Sequence, residues 1–275
     1  MCPSPVVDNA QRGFVIPIGG AEDKLTGAAV LQRFVDLCGG NRAHIVVIPT
    51  ASRLKDTGDV YTRVFNDLGA GTATSLTMNT REDAARADNI DALEQATGVF
   101  ITGGNQLRLS TILGGTGVFQ RLRKLNARGV HIAGTSAGAA IMPEHMIAGG
   151  KKGLLPRQNG VKLAPGLGLT NAMIIDQHFS QRSRLGRLLT AVSYNPFLLG
   201  VGLDEDTGVF IGPDDVLQVI GSGGITIVDA GELSYSSMDS AERGDALTMI
   251  GLKMHFLADG GRYDLQKRSA FPPSD

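Results

Sequence analysis

Residues 130–142 read VHIAGTSAGAAIM, and this stretch decides the fold class. A four-residue apolar run, VHIA, passes without a linker into the turn Gly134-Thr135-Ser136-Ala137-Gly138. A helical stretch of small residues, SAGAAIM, follows it. Short continuous apolar runs suit strands buried on both faces, as in parallel sheets. The same kind of run recurs at 14–18 (FVIPI), 44–48 (HIVVI), 98–101 (GVFI), 172–175 (AMII) and 198–203 (LLGVGL). Helical patterns lie between the runs. Over 25–37 and just beyond, Ala28, Leu31, Val35 and Cys38 fall near one face, and 59–68 and 118–125 behave alike. Strand and helix alternate, which predicts an α/β fold with a mostly parallel sheet. Beyond about residue 205 the helices stop. The runs 209–211, 216–220, 225–228 and 249–256 predict an antiparallel extension of that sheet.

With 275 residues, one large domain over 13–268 is expected, with loose tails at 1–12 and 269–275. A net charge of −1, from 26 basic and 27 acidic residues, argues against a nucleic-acid or membrane-surface binder. No run reaches the roughly 18 apolar residues of a membrane span. Cys2 and Cys38 fit neither a disulfide framework nor a zinc motif, and no metal or cofactor is expected. MCPSPVVDNAQRGF lacks a basic region followed by an apolar run, so a cytoplasmic protein is expected.

In open α/β sheets, ligands sit beyond the carboxyl ends of the strands. Those positions hold Gly19-Gly20-Ala21-Glu22-Asp23, Pro49-Thr50-Ala51-Ser52, Thr102-Gly103-Gly104-Asn105-Gln106, Gly134–Gly138, Asp176-Gln177-His178-Phe179-Ser180 and Asp204-Glu205-Asp206. Gly134–Gly138 has the G-x-S-x-G form. A chain of this composition carries about 0.3 such strings by chance, so the string alone is weak evidence. Its strand–turn–helix setting is what the chemistry needs. A sharp turn presents the Ser136 hydroxyl, and the amide of Ala137 can face an oxyanion.

A serine nucleophile needs a base within hydrogen-bond reach. His44 and His131 lie inside apolar strands and read as satisfied core residues. His145 falls in a loop and His255 in a late strand. His178 alone stands just past a buried strand at the ligand edge. A carboxylate must hold its tautomer. Asp204, Glu205 and Asp206 all sit at that edge, and spacing does not choose among them. The glycines at 103–104 offer a second oxyanion amide. Gly19-Gly20 lacks the features of a phosphate loop. A helix running from Ser180 as its N-cap through Leu185, Leu188, Leu189 and Val192 puts Arg182 in its first turn. A cation is unfavourable there, which suggests a role on a substrate carboxylate. Arg184 reads as a solvated face.

With GTSAGAA around Ser136, TGGNQ at 102–106, DQHFSQRSRLGRL at 176–188, GLDEDT at 202–207 and IPIGGAEDK at 16–24, the sequence resembles the cyanophycinase family. These are serine peptidases grouped with aspartyl dipeptidase (peptidase E). The resemblance implies a three-layer α/β/α sandwich, like flavodoxin and class I glutamine amidotransferases, and a homodimer. It implies Ser136 as nucleophile, His178 as base and Glu205 as orienting acid. Gly104 and Ala137 would form the oxyanion site, and Gln106, Asp176, Gln177, Arg182 and Arg187 would line the pocket. The implied substrate is cyanophycin, a poly-aspartate with arginine on each β-carboxyl, and the implied product is the β-Asp-Arg dipeptide. An aspartyl dipeptidase and a non-catalytic flavodoxin-like module are the alternatives.

Overall fold

The computed structural model describes residues 2–7 and 9–273. The first half alternates strand and helix. Its elements are β1 (Val15–Ile18), α1 (Ala29–Leu37), β2 (His44–Ile48), α2 (Thr57–Asp67), β3 (Thr72–Ser75), α3 (Arg81–Ala85), α4 (Ala87–Asp91), β4 (Gly98–Ile101), α5 (Gln106–Leu113), α6 (Gly117–Ala127), β5 (His131–Thr135) and the one-turn α7 (Ala137–Ala140). A hairpin of β6 (His145–Gly150) and β7 (Val161–Pro165) follows, then β8 (Met173–Gln177), α8 (Leu185–Tyr194) and β9 (Leu199–Leu203). The last part is all strand: β10 (Thr207–Ile211), β11 (Val216–Gly221), β12 (Ile225–Asp229), β13 (Tyr235–Ser236), β14 (Met249–Ile250), β15 (Lys253–Leu257), β16 (Arg262–Asp264) and β17 (Ser269–Phe271).

The large sheet has nine strands in the order β17-β16-β11-β10-β1-β5-β4-β2-β3. Strands β1, β5, β4, β2 and β3 run parallel, and β10, β11, β16 and β17 extend the sheet antiparallel. Its parallel strands alternate their buried side chains between two helical layers. Ile16, Ile18, Ile45, Val47 and Phe100 meet Val30, Leu31, Phe34, Val35, Tyr61 and Phe65 from α1 and α2. Val46, Ile48, Val99, Ile101 and Ile132 meet α5, α6 and α7 on the other side. Two helical layers on one sheet give the three-layer sandwich. Phe34, Phe65 and Phe100 pack with ring centroids 5.0–5.9 Å apart. Burying each ring contributes about 1.5–3 kcal/mol.

The structure corrects the expectation of one continuous sheet. Strands β8 and β9 pair parallel through the α8 crossover. With β12 and β15 they form a separate four-stranded sheet, ordered β15-β12-β9-β8. One face of it, with Leu199, Val201 and Leu203, packs into the same core as β10 and β11. The other face packs on Leu188, Ala191 and Val192 of α8. Apolar strands look alike in sequence whichever sheet they join. The 269–275 tail is corrected in part, because Ser269–Phe271 pairs with Arg262–Asp264 as an edge strand; Ser274 and Asp275 lie outside the described residues. At the other end, within the expected 1–12 tail, the Arg12 guanidinium donates to Asn126 Oδ1 at 3.1 Å. The helix expected over 25–37 starts at Ala29. Asp23 holds residues 25–27 in a turn by accepting from the amides of Leu25 and Gly27 at 2.8 and 2.7 Å. His44 is exposed at the mouth of its strand, not a core residue, and its Nδ1 meets Thr72 Oγ1 at 2.7 Å.

Candidate active site

The turn after β5 is as sharp as its sequence implies. Ser136 has φ 53° and ψ −108°. A non-glycine residue held there costs on the order of 1–3 kcal/mol, so its surroundings must over-determine it. The two glycines of G-x-S-x-G explain how they do so. A Cβ on Gly134 would lie 2.7 Å from Gly138 backbone, and one on Gly138 would lie 2.1 Å from Ile101 O. Strand, turn and helix therefore touch backbone to backbone. Thr135 is buried on one side of Ser136 and Ala137 on the other.

The turn brings together three segments that are distant in the chain. Ser136 Oγ lies 2.9 Å from His178 Nε2, and His178 Nδ1 lies 2.6 Å from Glu205 Oε1. A hydroxyl, an imidazole and a carboxylate thus stand in relay order. The adjacent acids do other work. Asp204 Oδ1 accepts from the Ser180 amide at 2.9 Å, and Asp206 Oδ1 accepts from the Asp23 amide at 2.8 Å. Of the three acids, only Glu205 meets the ring.

Residues 18–20 supply the clamp. The carbonyl of Ile18 accepts from the Ser136 amide, that of Gly19 from the His178 amide, and that of Gly20 from the Asp206 amide, at 2.9, 2.9 and 2.8 Å. Three consecutive carbonyls so fix the three segments of the relay. Gly20, at φ 105°, also packs on the imidazole, and a Cβ there would lie 2.4 Å from His178 Cε1. Gly20→Ala is therefore expected to displace the ring. Misplacement by about 1 Å costs roughly 10²-fold in rate. Labelling of Ser136 by a serine-directed phosphonate, followed by mass spectrometry, should slow by about that factor; labelling at the wild-type rate would contradict this role for Gly20.

Burial pushes the His178 pKa below the ordinary histidine value, and the nearby charges of Arg182 and Arg184 push the same way. The hydrogen bond and charge of Glu205 oppose them. The ring is therefore neutral, and able to accept a proton, at neutral pH.

The remaining sequence candidates divide. Gln177 is buried with Oε1 3.5 Å from Ser136 Oγ. Gly103 lies against Ser136, since a Cβ on it would come within 3.3 Å of Ser136 Cβ. Gly104 instead backs onto the Ala51 carbonyl. Asn105 caps α5 by accepting from the amides of Leu107 and Arg108 at 2.9 and 3.1 Å. Gln106 donates to the carbonyls of Ile147 and Ala148 on β6, both at 3.3 Å. Asp176 and Arg187 are buried against each other in a bidentate pair, with Arg187 Nε 2.5 Å from Asp176 Oδ2. Arg182 is exposed beside the relay.

Two readings of this segment are corrected. Ser180–Arg182 is a separate 3-10 turn and α8 begins at Leu185, so Ser180 is not its N-cap and Arg182 does not oppose its dipole. Arg184 is not solvated. Only 8% exposed, it donates to the Gln177 carbonyl and reaches Asp176 Oδ1 at 3.4 Å. Burial pushes its pKa down to about 10, with Asp176 opposing.

Sequence reasoning passes over Glu22. It is buried, and its carboxylate accepts from Tyr61 Oη and from Thr135 Oγ1, next to Ser136. Lys24 Nζ sits 3.1 Å from it. An acid at the ligand edge of a strand is the signal that points to it.

An α/β sandwich with a serine–histidine–carboxylate relay at the ends of its strands defines the class as a hydrolase-like fold. The sequence profile of peptidase family S51 matches residues 14–219, and the chain belongs to that family. It is 42% identical over 265 residues to a cyanophycinase of Trichormus variabilis, covering 96% of this chain and 89% of the relative. It is also 42% identical over 255 residues to a cyanophycinase of Geminocystis herdmanii, covering 92% and 94%. The fold resembles the crystal structure of a peptidase from an acI-B1 actinobacterium, with TM-score 0.61 and 21% identity over 79% of this chain and 91% of that one. Among the described residues no helix is long and apolar enough to cross a membrane.

Proposed function

We propose that this chain is a serine exopeptidase that hydrolyses the poly-aspartate backbone of cyanophycin to β-Asp-Arg dipeptides through an acyl-enzyme on Ser136. The observation that carries the chemistry is the relay of 2.9 and 2.6 Å contacts from Ser136 through His178 to Glu205. The relatives named cyanophycinase, at 42% identity over almost the whole chain, support the substrate.

In this reading Ser136 Oγ attacks the aspartyl carbonyl while His178 Nε2 takes its proton. Glu205 stabilises the imidazolium through Nδ1. The amide of Ala137, first in its helix and so without an intrahelical acceptor, faces the developing oxyanion. The Gly103-Gly104 turn supplies the second donor, from Gly104 or from Gly103 beside it. His178 then protonates the leaving amine, and water, deprotonated by the same ring, cleaves the ester and restores the Ser136 hydroxyl.

Each substrate unit bears a guanidinium and a carboxylate. Arg182, exposed at the relay, suits the carboxylate, since the guanidinium fork matches it bidentately. Gln177 faces the reacting carbonyl. Asp176 and Arg187, paired behind Gln177, act by holding that wall, and Gln106 by tying α5 to β6. A cytoplasmic homodimer belongs to the same reading.

The test is incubation of the protein with insoluble cyanophycin, with α-aspartyl dipeptides in parallel and mass spectrometry of the soluble fraction. Release of β-Asp-Arg is expected. Cleavage of the dipeptides with the polymer untouched would favour an aspartyl dipeptidase instead.

A further inference from the structure

Two hollows flank the β6–β7 hairpin. One, of about 660 Å³, is lined by Leu107, Ala148, Lys151, Lys162 and Arg243 among others. The second, of about 220 Å³, is lined by Lys151, Lys152, Arg157 and Arg187. They share Lys151 and Gly160 and so adjoin each other, giving a groove of two parts. Among the described residues six cations line it and no acid does, in a chain whose net charge is −1. Glu242 and Asp245, beside Arg243 in sequence, line neither hollow. Arg187 is buried and paired with Asp176, a carboxylate it shares with Arg184. The other five cations are exposed, and none forms an ion pair with another described residue.

Contacts link the walls of the groove to the Ser136 site along two routes. Gln106, next to Leu107, is bonded to Ala148 of the groove wall, and Gly103 of the same turn lies against Ser136. On the other side, Gly150 packs on Arg187, whose partner Asp176 adjoins Gln177. Leu107 lies four positions after Gly103, a reach of at most about 14 Å. An extended poly-aspartate advances about 3.5 Å per unit, so roughly four units span the stretch from Gly103, beside Ser136, to Leu107 at the groove edge.

We propose that this groove is a polymer-binding subsite that takes the row of carboxylates on the arginyl groups of cyanophycin, beyond the unit being cleaved. This rests on the substrate proposed above. In each unit the free carboxylate sits nearer the polymer backbone than the guanidinium does. A cationic wall therefore attracts the inner charge and turns the outer one toward solvent. The attraction is between exposed groups and is screened by salt over about 8 Å at physiological ionic strength.

The test measures binding apart from catalysis. Ser136→Ala protein is titrated calorimetrically with β-Asp-Arg oligomers of two and ten units at low and high salt. The ten-unit oligomer is expected to bind at least tenfold tighter at low salt, with the advantage shrinking at high salt. Adding Lys151→Glu and Lys162→Glu should remove the length advantage. Adding Arg63→Glu and Lys124→Glu, on the outer faces of α2 and α6, should keep it. Equal binding of the two lengths, an advantage surviving reversal at 151 and 162, or an equal loss with the control pair would each overturn the proposal. Polymer hydrolysis by the wild-type protein is scored separately. If it is absent while the length advantage obeys these charges, the groove stands and the proposed reaction falls.

Discussion

Ser136→Ala is expected to lower the turnover of cyanophycin by about 10⁶-fold, the typical cost of removing the nucleophile from such a relay. Among the described residues no other hydroxyl is hydrogen-bonded to His178 Nε2, and the other polar atom bonded to Ser136 Oγ is the Gln177 amide oxygen, at 3.5 Å. The loss should fall on chemistry and spare binding, because the deleted oxygen is the reacting atom. The fold should survive. Alanine keeps a Cβ at φ 53° and so carries the same backbone strain, while the amide of residue 136 still donates to the Ile18 carbonyl. The deleted atom borders the open site, so the change in stability should stay within about 1 kcal/mol. Thermal melting and product release measured on one preparation check both halves. Turnover within tenfold of wild type would remove Ser136 from the mechanism.

The parts of the site that could be read from sequence are those where a local pattern carries the chemistry. The run VHIA ending in a G-x-S-x-G turn identifies Ser136 as a candidate, and the end of a buried strand singles out His178 among five histidines. Pairing was not readable. Asp204, Glu205 and Asp206 are equivalent as a string, and their separate partners depend on a β turn whose direction only the folded chain sets. The role of Ile18, Gly19 and Gly20 rests on backbone carbonyls, which every residue has, so no residue type announces it. Arg184 misled because its neighbours are polar, yet folding carries it under the Gln177 carbonyl. In the fold, strand β3 (TATS) is mostly exposed at the sheet edge and gave no apolar run to find. The separation of β8 and β9 into a second sheet is a long-range choice that alternating strand and helix cannot reveal.

Glu205→Gln should lower kcat by about 10² to 10⁴, the upper figure being typical where the acid of a relay is replaced by its amide. Glu205 is about one-third exposed (side chain 36%), so water replaces part of its effect and the lower figure is also reachable. An amide can donate to Nδ1, which favours the tautomer with the proton on Nε2, the atom that must accept from Ser136. The pH profile separates this from a mere loss of packing. Burial holds the His178 pKa below its ordinary value, so the acid limb of wild-type kcat/KM should lie below about pH 6.5. Glu205 raises that pKa and Arg182 lowers it. In Glu205→Gln the residual activity should therefore show a limb at still lower pH, and in Arg182→Gln the limb should move up. Stability follows the same sign. A histidine whose folded pKa lies below its unfolded value favours the native state above about pH 6.5 and loses that contribution as pH falls through the folded pKa. Removing Glu205 should thus widen the pH range over which acid destabilises the protein. Limbs that stay fixed in both variants would mean that the group titrating in the profile is not His178, and the relay would lose its base.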